Sequence, residues 1–263
     1  MALEQIIAEN LIKYYDAPVN IRKGIHERLK VLDGVSFAVR ENEFVSVLGP
    51  SGCGKSTLLR LLAGLDNDYC GHIRICGMNI KEKRVPVCYM LQNDCLMPWR
   101  TLMENLLLPA EIEGADLKKE AGIIRPMLKD FGLEKFENYM PDELSGGMRQ
   151  RAALLRTYRM RGEIMLLDEP FGALDEITRM QMQDWLLDVW GKHRKTVLFV
   201  THNIDEAVLL SDRVLVMSKR PGHIVKEIVI DFPRPRSRDM LLGRHFLEYK
   251  GEILDALGEY GSV

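Results

Sequence analysis

The sequence predicts an α/β fold: a mostly parallel sheet interrupted by a helical insertion. Three observations predict it. The run FVSVLG (44–49) is apolar, Val-rich and too short for a helix, and it feeds directly into PSGCGKST and the leucine-rich LLRLLAGL. Strand character returns in EIMLLDE, VLFVTH, RVLVMS and IVKEIVI, with MQDWLLDVWGKH and IDEAVLL reading as helices between them. From about residue 93 to 160 the spacing is helical instead, in LMENLLLPAEI, KKEAGIIRPMLKDFGL and GGMRQRAALLRTYRM, with Pro and Gly as punctuation.

The first 40 residues read as strands and turns, ending in VLDGVSFAVR, where Val35, Phe37 and Val39 alternate with small or polar residues. ENEF follows as a turn, and Asn42 there can take the left-handed conformation usually left to glycine. The last 30 residues, from DFPRPRSRD, are polar and then weakly helical. No internal repeat or low-complexity tract interrupts the chain.

Composition bounds the function. The 263 residues carry 36 Lys+Arg against 38 Asp+Glu, a formal charge of −2, which argues against holding nucleic acid by bulk electrostatics. With 46% hydrophobic and 28% charged residues the chain is globular, too apolar for disorder. No run approaches the roughly 20 apolar residues of a membrane span. MALEQIIAEN lacks the basic start and apolar stretch of a secretory signal, so a cytosolic chain is expected. Cysteines 53, 70, 76, 88 and 95 form no C-x-x-C pair, which suits reduced thiols. Cys70 and Cys76 could share a metal, but no partnering pair has zinc spacing, and the six histidines show no H-E-x-x-H. The 14 methionines read as core filler.

The residues at 49–57, Gly49, Pro50, Ser51, Gly52, Cys53, Gly54, Lys55, Ser56 and Thr57, contain G-x-x-x-x-G-K-[ST] after a strand and at the opening of a helix. Glycines let successive N–H groups curl around phosphate oxygens, and the helix start adds its dipole. Lys55 is expected to reach the β- and γ-phosphates and Ser56 to ligate Mg²⁺. A merely structural glycine turn would not need strand and helix on its two sides. Residues 164–167 form an apolar strand that delivers Asp168 and Glu169 to its C-terminal end, where ligands of parallel sheets bind. Asp168 fits a metal-holding role; Glu169, one residue on, fits a general base for water. A solvated acidic turn at Pro170 is the plainer alternative. Asp168 comes 168 − 55 = 113 positions after Lys55, room for the helical insertion. That insertion carries Leu144, Ser145, Gly146 and Gly147, a second glycine-rich helix start with a serine cap. If it cannot reach its own nucleotide it can serve a partner's, which predicts a head-to-tail dimer enclosing two ATP molecules.

GPSGCGKST, LSGGMRQR, LLDEPFGALD and VTHNIDEA, in this order and spacing, resemble the nucleotide-binding subunit of an ABC transporter over nearly the whole chain. The resemblance implies a P-loop NTPase core from 1–92 and 161–230, with N-terminal antiparallel strands, a helical subdomain at 93–160 and a tail at 231–263. It implies that Gln92 contacts Mg²⁺ or the attacking water, that His202 contacts the γ-phosphate, and that Asp175 meets the partner subunit. Tyr15 resembles the aromatic that stacks on adenine, with Tyr14 adjacent. LMPWRTLMEN, SDRVLVMSKRPGHIV and FPRPRSRD resemble importers of nitrate, sulfonate, taurine and bicarbonate, in which Pro98 and Trp99 would receive a helix of the membrane permease. RTYRMRGEIMLL and Asn42 depart from that pattern, at no catalytic position. The implied protein hydrolyses ATP with Mg²⁺ at the inner face of the membrane. Its partners would be a second ATPase subunit, identical or paralogous, the permease and, indirectly, an external solute-binding protein, but no nucleic acid. No C-terminal regulatory domain is expected after residue 231. A soluble ATPase of the same type, acting on nucleic acid or another assembly, is the competing reading, but it often carries long coiled coils or two nucleotide domains. A small-molecule kinase would leave LSGG and His202 unexplained.

Overall fold

Two long antiparallel strands open the chain, β1 (Glu4–Asn20) and β2 (Ile25–Arg40). They are followed by β3 (Phe44–Leu48), α1 (Lys55–Leu62), β4 (Cys70–Ile75), β5 (Met78–Asn79) and β6 (Cys88–Met90). Next come α2 (Leu102–Ile112), α3 (Leu117–Asp130), α4 (Gly146–Arg159), β7 (Ile164–Asp168) and α5 (Glu176–Lys192). The chain closes with β8 (Thr196–Thr201), α6 (Ile204–Leu210), β9 (Arg213–Met217), β10 (Ile224–Val229) and α7 (Arg244–Glu259). This computed structural model describes residues 3–20, 25–192 and 194–259. They fall into two units, one of residues 1–85 with 194–263 and one of 86–193.

The first unit holds an antiparallel sheet in the order β2-β1-β4-β5, and the parallel strands β9, β3 and β8 side by side, with β10 antiparallel on β9. Every residue of β3, β8 and β9 is buried, as expected of parallel strands covered on both faces. Asn42, at φ 59, makes the left-handed turn into β3, and its N–H donates to Thr196 Oγ1 at 3.0 Å.

The tail is more ordered than its polarity indicates. α7 buries Phe246, Ile253 and Ala256 against Ala207 and Val208 of α6, Val214 and Val216 of β9, and Ile228 of β10. Its apolar positions share one face but are diluted by Gly251, Gly258 and charges, so the period reads weakly in sequence. The RPR segment before it is equally built in. The buried Arg236 donates to the carbonyls of Val208, Leu209 and Ser211, where α6 ends, and to Ile230 O. Burial, then the neighbouring Arg234, push its guanidinium down to about 10, so it stays charged at neutral pH. Those four carbonyls replace water as its partners.

In the second unit β6 and β7 run parallel, and α2 to α5 are capped by their own sequence. Thr101 and Glu104 form a reciprocal box at the start of α2, and Asp116 accepts from Lys118 and Lys119 N–H groups at α3. Trp185 of α5 packs edge-on against Phe131 and Tyr158, at centroid distances of 4.4 and 5.5 Å.

Candidate active site

Register brings three segments of the first unit to one edge. Leu48 at the end of β3 lies opposite Thr201 of β8 and Val216 of β9. The residues that follow are Gly49, His202 and Met217, so the glycine loop, the candidate histidine and the segment 218–223 all leave from the C-terminal ends of parallel strands. His202 is exposed, and its neighbours are fixed. Thr201 donates its hydroxyl to the buried Glu206 at 2.6 Å and accepts from Asn203 N–H, while Asn203 caps α6.

The glycine loop is shaped for a phosphate. Gly52 and Gly54 have φ of 74 and 114, in the region that disfavours other residues. Gly54 is also the N-cap of α1 and brings no side chain to the first-turn N–H groups. Lys55 is buried and folds back, donating from Nζ to Gly49 O at 2.8 Å and Pro50 O at 2.9 Å. A cation held at the mouth of a loop of N–H groups fits a polyphosphate. Burial keeps the Cys53 thiol raised, hence protonated.

Two further residues brace this loop, and sequence pattern did not single them out. Arg220 donates from Nε and Nη2 to Gly52 O at 3.0 and 2.7 Å. Gly222 pairs with β2, its N–H on Val31 O and its carbonyl accepting from Asp33 N–H. A Cβ on Gly222 would stand 2.2 Å from Cys53 O, and one on Gly54 would stand 2.7 Å from Leu32 Cδ2. The R-P-G triplet after an apolar strand was the available signal.

Tyr15 is partly exposed, and its hydroxyl donates to Asp66 Oδ2 at 3.2 Å. Lys13, 2% exposed, lies 4.8 Å from the Tyr15 ring centroid and donates to Asp66 Oδ1 at 3.0 Å and to Asp68 O at 2.5 Å. Tyr14 instead sits under Arg28 and Lys30. Partial burial pushes Asp66 up, but the hydrogen bonds from Lys13, Asp68 N–H and Tyr15, with the Lys13 charge, outweigh it and hold the carboxyl below its usual range. Lys13 is likewise pulled down by burial and raised, on balance, by Asp66 and Asp68. The pair therefore stabilises fully between the unfolded pKa values, about 4 for Asp and about 10.4 for Lys. Its contribution is lost as pH falls through the lowered Asp66 value or rises through the raised Lys13 value. Lys13→Met leaves a partly buried carboxylate unpaired and is expected to cost about 3 kcal/mol by thermal or urea unfolding at neutral pH, shrinking toward acid.

In the second unit Met90 of β6 lies opposite Leu167 of β7. Asp168 ends β7 in a buried position, and Glu169 follows at φ 48, half-buried. Gln92 lies two residues beyond the end of β6 and is exposed. Leu144 is buried and anchors the second glycine turn, while Ser145 and Gly146 are exposed. Ser145 Oγ accepts from Met148 N–H at 3.2 Å and caps α4. Asp175 accepts from the N–H and hydroxyl of Thr178 at 3.0 and 2.6 Å, which holds its carboxyl low and starts α5.

The segment after Gln92 is tied to the same glycine turn. Arg149 donates from Nε to Asp94 Oδ2 at 3.0 Å and from Nη1 to Leu144 O at 2.7 Å. Arg156 donates to the carbonyls of Asp94 and Cys95. An arginine in the first turn of a helix opposes the dipole, a hint in the sequence that Arg149 needs a partner elsewhere. Further on, Asn105 is fully buried: its Oδ1 accepts from Met97 N–H and its Nδ2 donates to the carbonyls of Met97, Arg100 and Thr101. The loop so fixed presents Pro98 and Trp99, the latter 71% exposed. Cys76 donates to Gln5 Oε1, and among the described residues no cluster of His, Cys, Asp and Glu has the form of a metal site.

A lysine-bearing glycine loop opening a helix, and an acidic strand end, are the features of a P-loop nucleoside triphosphatase. The chain belongs to the ABC transporter family, whose pattern matches residues 32–172. It is 45% identical over 249 residues to an uncharacterized ABC transporter ATP-binding protein of Methanocaldococcus jannaschii, covering 95% of this chain and 90% of that one. It is 41% identical over 239 residues to an aliphatic sulfonates import ATP-binding protein of Bacillus cereus, covering 89% of this chain and 91% of the relative. Against a bicarbonate transport ATP-binding protein of Synechococcus elongatus the identity is 40% over 240 residues, 90% and 84% of the two chains. A dimeric ATP-binding cassette solved in a post-hydrolysis state with ADP and phosphate superimposes with a TM-score of 0.74 at 30% identity, over 87% of this chain and all of that one. The chain is an ATP-binding cassette and an ATPase.

Proposed function

We propose that this ATPase powers an importer, in a head-to-tail dimer whose two ATP molecules each lie between the glycine loop of one chain and Leu144, Ser145, Gly146 and Gly147 of the other. The observation that carries the dimer is the exposed Ser145–Gly146 start of α4, capped and glycine-lined yet without a lysine of its own. Loop 49–57 binds the phosphates, Lys55 neutralises the β- and γ-oxygens, and Tyr15 stacks on adenine. Ser56, Asp168 and Gln92 would hold Mg²⁺, which when bound neutralises charge on the β- and γ-phosphates. Glu169 takes a proton from the attacking water, His202 contacts the γ-phosphate, and Asp175 meets the partner chain. The RecA-like core of residues 1–92 and 161–230 and the helical subdomain 93–160 supply these two sets of residues.

Pro98 and Trp99 receive the permease. An exposed tryptophan on a loop locked by Asn105 supports that reading, since aromatic anchors dominate such contacts. ATP binding closes the dimer and hydrolysis reopens it, and the permease follows through the Gln92–Trp99 segment. Two relatives are named for aliphatic sulfonates and bicarbonate, which supports a small oxyanion as cargo, and the sequence resemblance adds nitrate and taurine as candidates. An external binding protein would deliver it, and this chain would sit on the inner face of the membrane. Among the described residues no helix is long and apolar enough to cross a membrane itself.

Purification from gently solubilised membranes tests this. A polytopic permease is expected at about one-to-one stoichiometry, and Trp99→Ala is expected to weaken its recovery about tenfold or more. Recovery of only soluble partners or nucleic acid, with ATPase activity intact, contradicts the importer and favours the soluble class.

A further inference from the structure

We infer that Gln150 is a positioning residue for hydrolysis: it sets the main-chain bend at Glu169 and so ties the partner-facing end of α4 to the base of its own chain. The inference rests on the proposed roles of Glu169 and of the glycine turn at 144–147. Gln150 lies one helical turn after Gly146 and is 6% exposed. Its Nε2 donates to Glu169 O at 3.1 Å, and its Oε1 accepts from Ala173 N–H at 2.6 Å. One partner is a carbonyl and the other an N–H, so a single orientation of the amide satisfies both.

Those two bonds grip both ends of one turn. Gly172 N–H also donates to Glu169 O at 3.1 Å, so the segment 169–173 closes on itself beneath the Gln150 amide. Glu169 needs such a grip, because at φ 48 a side-chain-bearing residue occupies a sparsely populated region and persists only when its surroundings over-determine it. Relaxation of that backbone to negative φ would swing the carboxylate away from its present direction.

The same helix serves the opposite nucleotide. From Gly146 to Gln150 is about 6 Å along the axis, so an anion that seats on Ser145 and Gly146 pulls on the element that holds Glu169. Binding of the partner's ATP is thereby reported to the base in the chain that contributes α4. Neighbouring Arg149, which links Leu144 O to Asp94, acts on the segment after Gln92 and leaves the Glu169 turn to Gln150.

The test compares purified Gln150→Leu, Gln150→Glu and Glu169→Gln with wild type, reading kcat, KM for ATP, ATP-dependent dimer formation and thermal melting. Gln150→Leu is expected to lower kcat at least about tenfold, with KM within about twofold and the ATP-dependent dimer still formed. Gln150→Glu keeps the acceptor for Ala173 N–H but donates to Glu169 O only when protonated. Its activity relative to wild type is therefore expected to rise as pH falls from about 8 to about 6, a response that simple packing would not give. The inference is overturned if Gln150→Leu keeps kcat within about twofold of wild type, or if kcat, KM and melting all deteriorate together and the Gln150→Glu ratio is flat with pH. Glu169→Gln separates the two levels: if it is inactive while Gln150→Leu is not, only the positioning role fails, whereas wild-type turnover in Glu169→Gln removes the base itself.

Discussion

Glu169→Gln is expected to bind ATP with near wild-type affinity and to lose about 10²- to 10⁴-fold in turnover, the range for removing a general acid or base. The amide keeps the size of the side chain and its ability to accept a hydrogen bond, but it cannot take a proton from water at neutral pH. Gln150 Nε2 and Gly172 N–H both donate to Glu169 O, main-chain bonds that the substitution does not remove. Steady-state hydrolysis beside equilibrium binding of a fluorescent ATP analogue checks both halves. Turnover at the wild-type rate would assign the base to another residue.

Gly222→Ala is expected to damage the glycine loop of the first unit directly. A Cβ there would stand 2.2 Å from Cys53 O and 2.8 Å from the Met217 methyl. Met217 can move, but Cys53 O belongs to the glycine loop, which is also held by Arg220 on Gly52 O. Relief requires either displacement of the loop or loss of the two hydrogen bonds between Gly222 and β2. Overpacking of this kind costs about 1–3 kcal/mol, and because the strain falls on the phosphate loop, ATP affinity should drop by about tenfold or more, a loss of at least about 1.4 kcal/mol. Isothermal titration with ATP, set beside a melting curve, distinguishes loop displacement from global destabilisation. Unchanged affinity would show that the loop keeps its shape without Gly222.

The parallel strands, the glycine loop and the capped start of α4 were legible because each is a local pattern. FVSVL and IMLLD are continuous apolar runs, Ser145 is a cap by residue type, and Asn42 stands where a positive φ is needed. What escaped depends on contacts far apart in sequence. Gln150 and Arg149 lie inside a motif whose glycines take the attention, and only the fold shows one gripping Glu169 and the other Asp94. Arg220 and Gly222 reach the glycine loop and β2 because β9 pairs with β3, a long-range choice that no window of sequence contains. The helix α7 was diluted by glycines, and its face becomes plain only against α6 and β10. Tyr14 and Tyr15 are equivalent in sequence, and Lys13 with Asp66 distinguishes them through contacts about 50 residues apart.

ATP-dependent dimerisation of the Glu169→Gln chain, followed by light scattering with bound nucleotide counted, decides whether two chains share their nucleotides. A monomer without ATP and a dimer holding two ATP molecules in its presence are expected. Ser145→Arg is expected to abolish the dimer while that chain, its own glycine loop intact, still binds ATP. An ATP-bound monomer, or a dimer indifferent to both ATP and Ser145→Arg, would contradict the head-to-tail dimer.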